Sequence, residues 1–148
     1  MKIKEVMETK VITVSPEATY QEVARLLYEQ NISGALVMIG DELVGVISEK
    51  DLYRVLYPYY KSYYESPESY TNLEMRESKA KEIQDKPIAN FMTASPITVA
   101  PLDPIMKAGA LMLARNISRL PVVENGKVVG IVTRKMIYRA IMKKNFGF

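Results

Sequence analysis

Ser48 and Asp51 stand three residues apart, directly after an apolar run that begins at a glycine: Gly45-Val46-Ile47-Ser48-Glu49-Lys50-Asp51. Two kinds of chemistry are open to that spacing. A hydroxyl and a carboxylate at i and i+3 form a capping box, in which Ser48 accepts from the Asp51 N–H and Asp51 reaches back to the Ser48 N–H. The same turn at a strand end offers free N–H groups and the positive end of a helix dipole to an anion. A carboxylate one turn in can also accept two hydrogen bonds from the cis diol of a ribose, as the acidic residue of other nucleotide folds does. Further along, the chain reads Gly130-Ile131-Val132-Thr133-Arg134-Lys135-Met136, with the hydroxyl kept and the carboxylate gone.

Other chemistries are closed. The chain has no cysteine and no histidine. That removes disulfides, thiolate and imidazole metal ligands, and the commonest general base. An enzyme is therefore not expected, and neither is a metal centre. The 148 residues fit one compact domain of ordinary size, and at 48% hydrophobic they can bury a core. A net charge of +3 suits anionic small molecules or acidic partners but falls short of a nucleic-acid footprint. MKIKEVMETK lacks the apolar core of a secretory signal, and no apolar run is long enough for a bilayer, so a soluble, cytoplasmic protein without membrane contact is expected.

The two hydroxyl turns belong to an internal repeat. Residues 3–56 lie over residues 88–141 without a gap at an offset of 85, with sixteen identities, among them Ile3/Ile88, Met7/Met92, Val14/Val99, Ser33/Ser118, Gly45/Gly130 and Arg54/Arg139. Repetition of this kind governs the fold and is sought before anything else. In the first copy Val11–Val14 reads as a short buried strand. Thr19 with Glu22 reads as a capping box opening a helix that Asn31–Gly34 ends. Ala35–Ile39 and Leu43–Ile47 read as strands about a turn at residues 40–42. Ser48 then opens a last helix that Pro58 stops. The second copy repeats the order as Ile97–Val99, Asp103–Arg115 with Pro104 at N1, Arg119–Val123, Val128–Val132 and Arg134–Lys143. Asn125-Gly126 is a strong hairpin turn. The expectation is an α/β (α+β) fold of two βαββα units packed sheet to sheet: unit 1 at residues 1–57, a connector at 58–87, and unit 2 at 88–148.

The connector holds Tyr59, Tyr60, Tyr63, Tyr64 and Tyr70, and its Leu73–Gln84 stretch reads as a helix. The tyrosines serve to pack the excursion onto the body or onto a second subunit. Aromatics interleaved with Lys can stack on single-stranded nucleic acid, but Glu65, Glu68, Glu74, Glu77 and Glu82 oppose phosphate, so nucleic acid is not expected as a partner.

The doubled pattern resembles a tandem pair of CBS domains, the cystathionine β-synthase type of regulatory module. The matching residues are Met92-Thr93-x-x-Pro96-Ile97-Thr98-Val99, Asn116-Ile117-Ser118-Arg119-Leu120-Pro121-Val122-Val123 and the Gly45–Asp51 run. The resemblance implies a pseudo-twofold pair with two clefts, each mixing the copies and able to hold an adenosine-type ligand. In the first cleft Ser48 and Asp51 would join Ser95, Ile97, Ala100, Ile117, Ser118 and Arg119. Asp51 would hold the ribose, Ser48 the ribose or first phosphate, and Arg119 a phosphate, a group that guanidinium suits. Arg119 also has a plain reading as an arginine on a strand edge. The second, weaker cleft would combine Thr133 and Met136 with Val11, Ile12, Ile32, Ser33 and Gly34. It lacks the carboxylate, and Gly34 stands where Arg119 stands. Ser118 departs from the histidine that some nucleotide-sensing members carry there, which leaves the phosphate count open.

The resemblance thus implies a stand-alone module that binds AMP, ADP or ATP, with or without Mg and with no required cofactor, and signals to a partner protein. The alternatives are a ligand of the S-adenosylmethionine type and a ligand-free interaction scaffold in which Asp51 only caps. Paired modules of this kind commonly form homodimers through their helices, and the Met-rich helices here (Met106, Met112, Met136, Met142) permit that.

Overall fold

The computed structural model describes residues 1–57, 64–65, 67–70 and 73–148. The helix stop expected of Pro58 and the packing roles of Tyr59, Tyr60 and Tyr63 lie outside the described residues. Two compact units make up the chain, and they cut across the repeat boundaries. One comprises Thr13–Ile39 and Val44–Ala94; the other comprises Met1–Ile12, Gly40–Leu43 and Ser95–Phe148.

In the first of these units, β1 (Thr13–Val14) runs parallel to β2 (Gly34–Ile39), with Val14 opposite Val37. β3 (Glu42–Ser48) lies next to β2 and pairs antiparallel with β4 (Thr93–Ala94), giving the order β1-β2-β3-β4. α1 (Tyr20–Gln30) starts at the expected capping box: Thr19 Oγ1 accepts from Glu22 N at 3.1 Å and Glu22 Oε2 from Thr19 N at 3.0 Å. It ends at Asn31 in the left-handed region, a conformation asparagine tolerates. Val23 and Leu27 on α1, Ala35–Val37 on β2 and Val46–Ile47 on β3 are buried. Tyr20 is buried as well. Its hydroxyl donates to the Leu52 carbonyl at 2.6 Å, its ring meets Phe91 edge-on, and burial raises its pKa.

The second unit repeats the plan. α5 (Ile105–Arg115) ends at Asn116 with the same left-handed backbone as Asn31. β5 (Arg119–Glu124) and β6 (Lys127–Thr133) form an antiparallel pair whose turn carries positive φ at Asn125 and Gly126, as that dipeptide requires. α6 runs from Arg134 to Phe146. Ile3, Val99, Ile105, Ala108, Met112, Leu120, Val122, Val132 and Ile137 form the core.

Several boundaries differ from expectation. The strand expected at Ile97–Val99 contracts to a single parallel bridge, Val99 to Val122. Its partner strand carries Pro121 where β2 carries Leu36, and proline has no N–H to extend the ladder. Pro104 is the N-cap of α5, not N1, with an extended ψ of 143°. Asp103 folds back instead: its carboxylate accepts from Ala100 N at 2.9 Å and from Lys107 at 3.1 Å, contacts that lower its pKa. The connector helix breaks into α3 (Leu73–Arg76) and α4 (Lys79–Glu82), and the Ser78 hydroxyl bonds back to the Met75 carbonyl at 3.0 Å across the break. α2 (Glu49–Arg54) has six residues, and α6 runs three residues past Lys143.

The two repeats exchange their opening segments. Ile3 N donates to Asp103 O and Lys4 N to Pro101 O, while Ile105 N donates to Met1 O. Each bond has its counterpart 85 residues away: Ile88 N to Ala18 O, Ala89 N to Pro16 O, and Tyr20 N to Lys86 O. Ile3 and Ile88 are both fully buried in these places. The exchange continues to the strand edge, where Glu8 bridges Ile131 as Thr93 pairs with Val46. Each opening segment then ends on a glycine. A Cβ on Gly45 would sit 2.5 Å from Met92 Sδ and 3.0 Å from the Thr93 carbonyl; on Gly130 it would sit 2.9 Å from Met7 Sδ and 2.9 Å from the Glu8 carbonyl. A methionine side chain can move aside, but a paired backbone carbonyl cannot. Gly45→Ala and Gly130→Ala should therefore each destabilise the fold by about 1–3 kcal/mol, as overpacking does. Urea unfolding checks this, and an unchanged midpoint in both variants would sink the argument.

Candidate functional site

The carboxylate side of the predicted site lies at the start of α2. Gly45–Ser48 deliver the chain along β3, and Ser48 leaves it in extended backbone as N-cap. Ser48 Oγ accepts from Asp51 N at 3.3 Å. Asp51 Oδ2 accepts from Ser48 N and from Ser48 Oγ, each at 2.9 Å. Asp51 Oδ1 accepts from Arg54 Nη2 at 2.9 Å. The carboxylate is 8% exposed, whereas the Arg54 side chain is 48% exposed. The capping box is thus real, and it holds a buried, fully oriented anion one turn into the helix. Glu49 N donates to Ser33 O at 2.9 Å, which fixes the turn into β2 beside that helix start.

The equivalent turn in the other unit has the same frame and different chemistry. Thr133 Oγ1 accepts from Met136 N at 3.3 Å, and Arg134 N donates to Ser118 O at 2.9 Å. Met136 offers no carboxylate. Arg119 lies opposite Thr133 in the β5–β6 pair and is 7% exposed, and its Nη2 donates to Ser118 Oγ at 3.5 Å. An arginine this buried does not fit the plain reading of a surface residue on a strand edge.

The predicted residues therefore fall into two groups. Ser48 and Asp51 share a unit with Ile32, Ser33 and Gly34; Ser95, Ile97, Ala100, Ile117, Ser118 and Arg119 share the other with Val11, Ile12, Thr133 and Met136. Ile97 and Ile117 are half-buried, and Ser95 and Ala100 are exposed. Ser95 adopts a left-handed φ of 49°, which a serine rarely does. Two features went unread in the sequence. The Asp51–Arg54 pair was signalled only by a common i, i+3 spacing. An open groove of ≈ 550 Å³ between α1 and α2, lined by Tyr20, Leu27, Tyr28, Lys50, Tyr53 and Leu56, contains none of the predicted site residues. Among the described residues no group of three or more His, Cys, Asp or Glu could hold a metal ion, and no helix is long and apolar enough to cross a membrane.

Comparison with known proteins places this frame. The CBS domain model matches residues 3–58 and again 88–143. An inosine-5'-monophosphate dehydrogenase of Korarchaeum cryptofilum is 33% identical over 86% of this chain, which spans 22% of that enzyme. An uncharacterized protein of Methanocaldococcus jannaschii is 32% identical over 97% of the chain, which spans 40% of it. The chain thus covers well under half the length of these two relatives. Another uncharacterized protein of the same organism is 32% identical, with 96% of this chain and 92% of that protein covered. Two solved structures resemble the chain at 26% identity. The CBS domain pair of protein MJ0100, in complex with 5'-methylthioadenosine and S-adenosyl-L-methionine, matches at a TM-score of 0.73, covering 97% of this chain and 98% of that one. CBSX2, a CBS-pair protein of Arabidopsis thaliana, in complex with AMP, matches at 0.72 with the same coverage. With both repeats matched by the family model and one βαββα plan built twice, this chain belongs to the CBS-domain family as a tandem pair.

Proposed function

We propose that the pair is a regulatory, non-catalytic module that binds one adenosine-containing ligand and passes its occupancy to a partner protein. The observation that carries this reading is the buried Asp51 carboxylate at the start of α2, where the other repeat has Met136. Asp51 and Ser48 take the ribose diol. Ser95, Ile97, Ala100, Ile117, Ser118 and Arg119 take the base and the 5' substituent. The ligand class is supported by two relatives at 26% identity, one solved with AMP and one with 5'-methylthioadenosine and S-adenosyl-L-methionine. Arg119 favours a phosphorylated ligand over a cationic one, so AMP, ADP or ATP is the first choice and an S-adenosylmethionine type the second.

The set formed by Thr133, Val11, Ile12, Ile32 and Ser33 is the weaker site. A hydrogen bond to a charged group contributes about 1.5–3 kcal/mol. Lacking it, and with Gly34 in place of an arginine, that site should bind a hundredfold or more weakly at ~1.4 kcal/mol per decade. A ligand acts on the partner only through different affinities for two arrangements of the protein.

The expected partner also includes a second copy of this chain. Tyr28 and Tyr53 are exposed at 87% and 57%; their equivalents 85 residues on, Leu113 and Tyr138, are exposed at 77% and 59%. Single exposed apolar residues need no explanation, but the same two positions are left open in both repeats, and in the first repeat they line the α1/α2 groove, which fits a self-complementary contact between copies.

Two outcomes are expected. AMP should raise the thermal unfolding midpoint of the wild type and leave Asp51→Ala unmoved; no shift with any adenosine ligand would remove the sensor reading. In light scattering the wild type should be a dimer, and Tyr28→Lys with Leu113→Lys a monomer. A monomeric wild type would refute the contact between copies.

A further inference from the structure

Asp51 is nearly saturated before any ligand arrives. A carboxylate offers about four lone-pair sites. Oδ2 uses both of its sites on Ser48 N and Ser48 Oγ, and Oδ1 uses one on Arg54 Nη2. One site therefore remains open, on Oδ1. A ribose diol brings two donors, so one bond already present must break. The Ser48 N–H is backbone at a helix start, and giving it up leaves a donor unsatisfied. The Ser48 hydroxyl is locked twice, accepting from Asp51 N while donating to Oδ2. Arg54 is the partner most easily released. Its side chain is 48% exposed, so its guanidinium regains water on leaving, and the pair it forms is of the weak, salt-screened kind.

We infer that Arg54 is a latch on the ribose carboxylate, a specificity-determining residue that any diol ligand must displace from Oδ1. This rests on Asp51 being the ribose ligand. The latch belongs to one repeat only: Arg139 keeps the arginine, but Met136 three residues before it gives that arginine no carboxylate to close on. Arg54 therefore tunes affinity at the site that carries the carboxylate and leaves the other untouched. It also keeps the buried anion paired when the site is empty, which lowers the affinity for every diol ligand by a common factor and spares ligands without the diol.

The test uses adenosine, a neutral diol whose own binding carries no phosphate salt effect. Arg54→Met keeps the aliphatic stem and removes the donors. In calorimetric titrations at 0.05 M KCl the variant should bind adenosine about two- to fivefold more tightly than the wild type, the size of an exposed ion pair. At 1 M KCl screening opens the latch in the wild type and the gap should close. A merely structural role for Arg54 would not make the gap depend on salt. Equal affinities at both salt concentrations, or weaker binding by the variant, overturn the latch. Binding of AMP by a wild type whose adenosine affinity ignores Arg54→Met overturns the latch alone. A wild type that binds neither ligand overturns the ribose assignment and the latch with it.

Discussion

The exchange of opening segments is the constraint on which the rest depends. Ile3 fills the unit built from the second repeat, and Ile88 fills the unit built from the first. Backbone bonds at equivalent positions fix both, so neither repeat completes its own core. The strand edges follow from this. β3 acquires its outer partner from residues 93–94, and β6 acquires a bridge from Glu8. Each exchange passes a glycine with no room for a Cβ, and that glycine lies three residues before the helix-capping hydroxyl. The geometry that closes the fold therefore also sets where Ser48 and Thr133 stand. An unpaired strand edge invites association with other chains, and here the exchanged segment covers it.

Comparing the two capped turns separates what the fold needs from what it does not. Thr133 caps Met136 N with the geometry by which Ser48 caps Asp51 N, and α6 still forms and runs longer than α2. The carboxylate is thus dispensable for starting the helix. Burying an ionised group is costly unless it is paired and hydrogen-bonded, and Asp51 needs three donors to be accommodated. A residue that the fold can omit, at a position where it carries a desolvation cost, needs an explanation other than folding. Arg119 poses the same question in the other unit, where Gly34 is its equivalent: an arginine 7% exposed stands at a position that a glycine also satisfies.

Much of this was legible in the chain because the signals were local. The Thr19/Glu22 and Ser48/Asp51 boxes, the Asn31 and Asn116 helix ends and the Asn125-Gly126 turn all rest on contacts within four residues, and all are present. The misses are contacts between distant residues. Nothing in Ile97-Thr98-Val99 reports that its neighbour strand carries a proline. The exchange is invisible because the two opening segments are similar enough that each would suit either repeat by pattern alone. The residues of the candidate site were named from family resemblance, and their division between two units was not readable from spacing. Arg54 was overlooked because an arginine three residues after an aspartate on a helix is ordinarily a solvated pair worth little.

The pair stays weak, but the burial of one partner makes it unequal. In an exposed i, i+3 pair both groups compete with water, and breaking the pair costs almost nothing. Here the carboxylate is enclosed and its arginine is not, so the two ends of the bond lose unequally when it breaks. The guanidinium returns to solvent, while the carboxylate must find another donor or remain buried with an unmet acceptor. Water can supply such a donor only where the site admits it. A hydroxyl pair of fixed spacing supplies it with less entropy lost per bond, because one rigid ring orients both donors. The latched site thus still favours the diol, but less strongly than an open carboxylate would, because a ligand without the diol leaves the Asp51–Arg54 pair in place. Met136 gives its own turn no such discrimination, whatever else binds there.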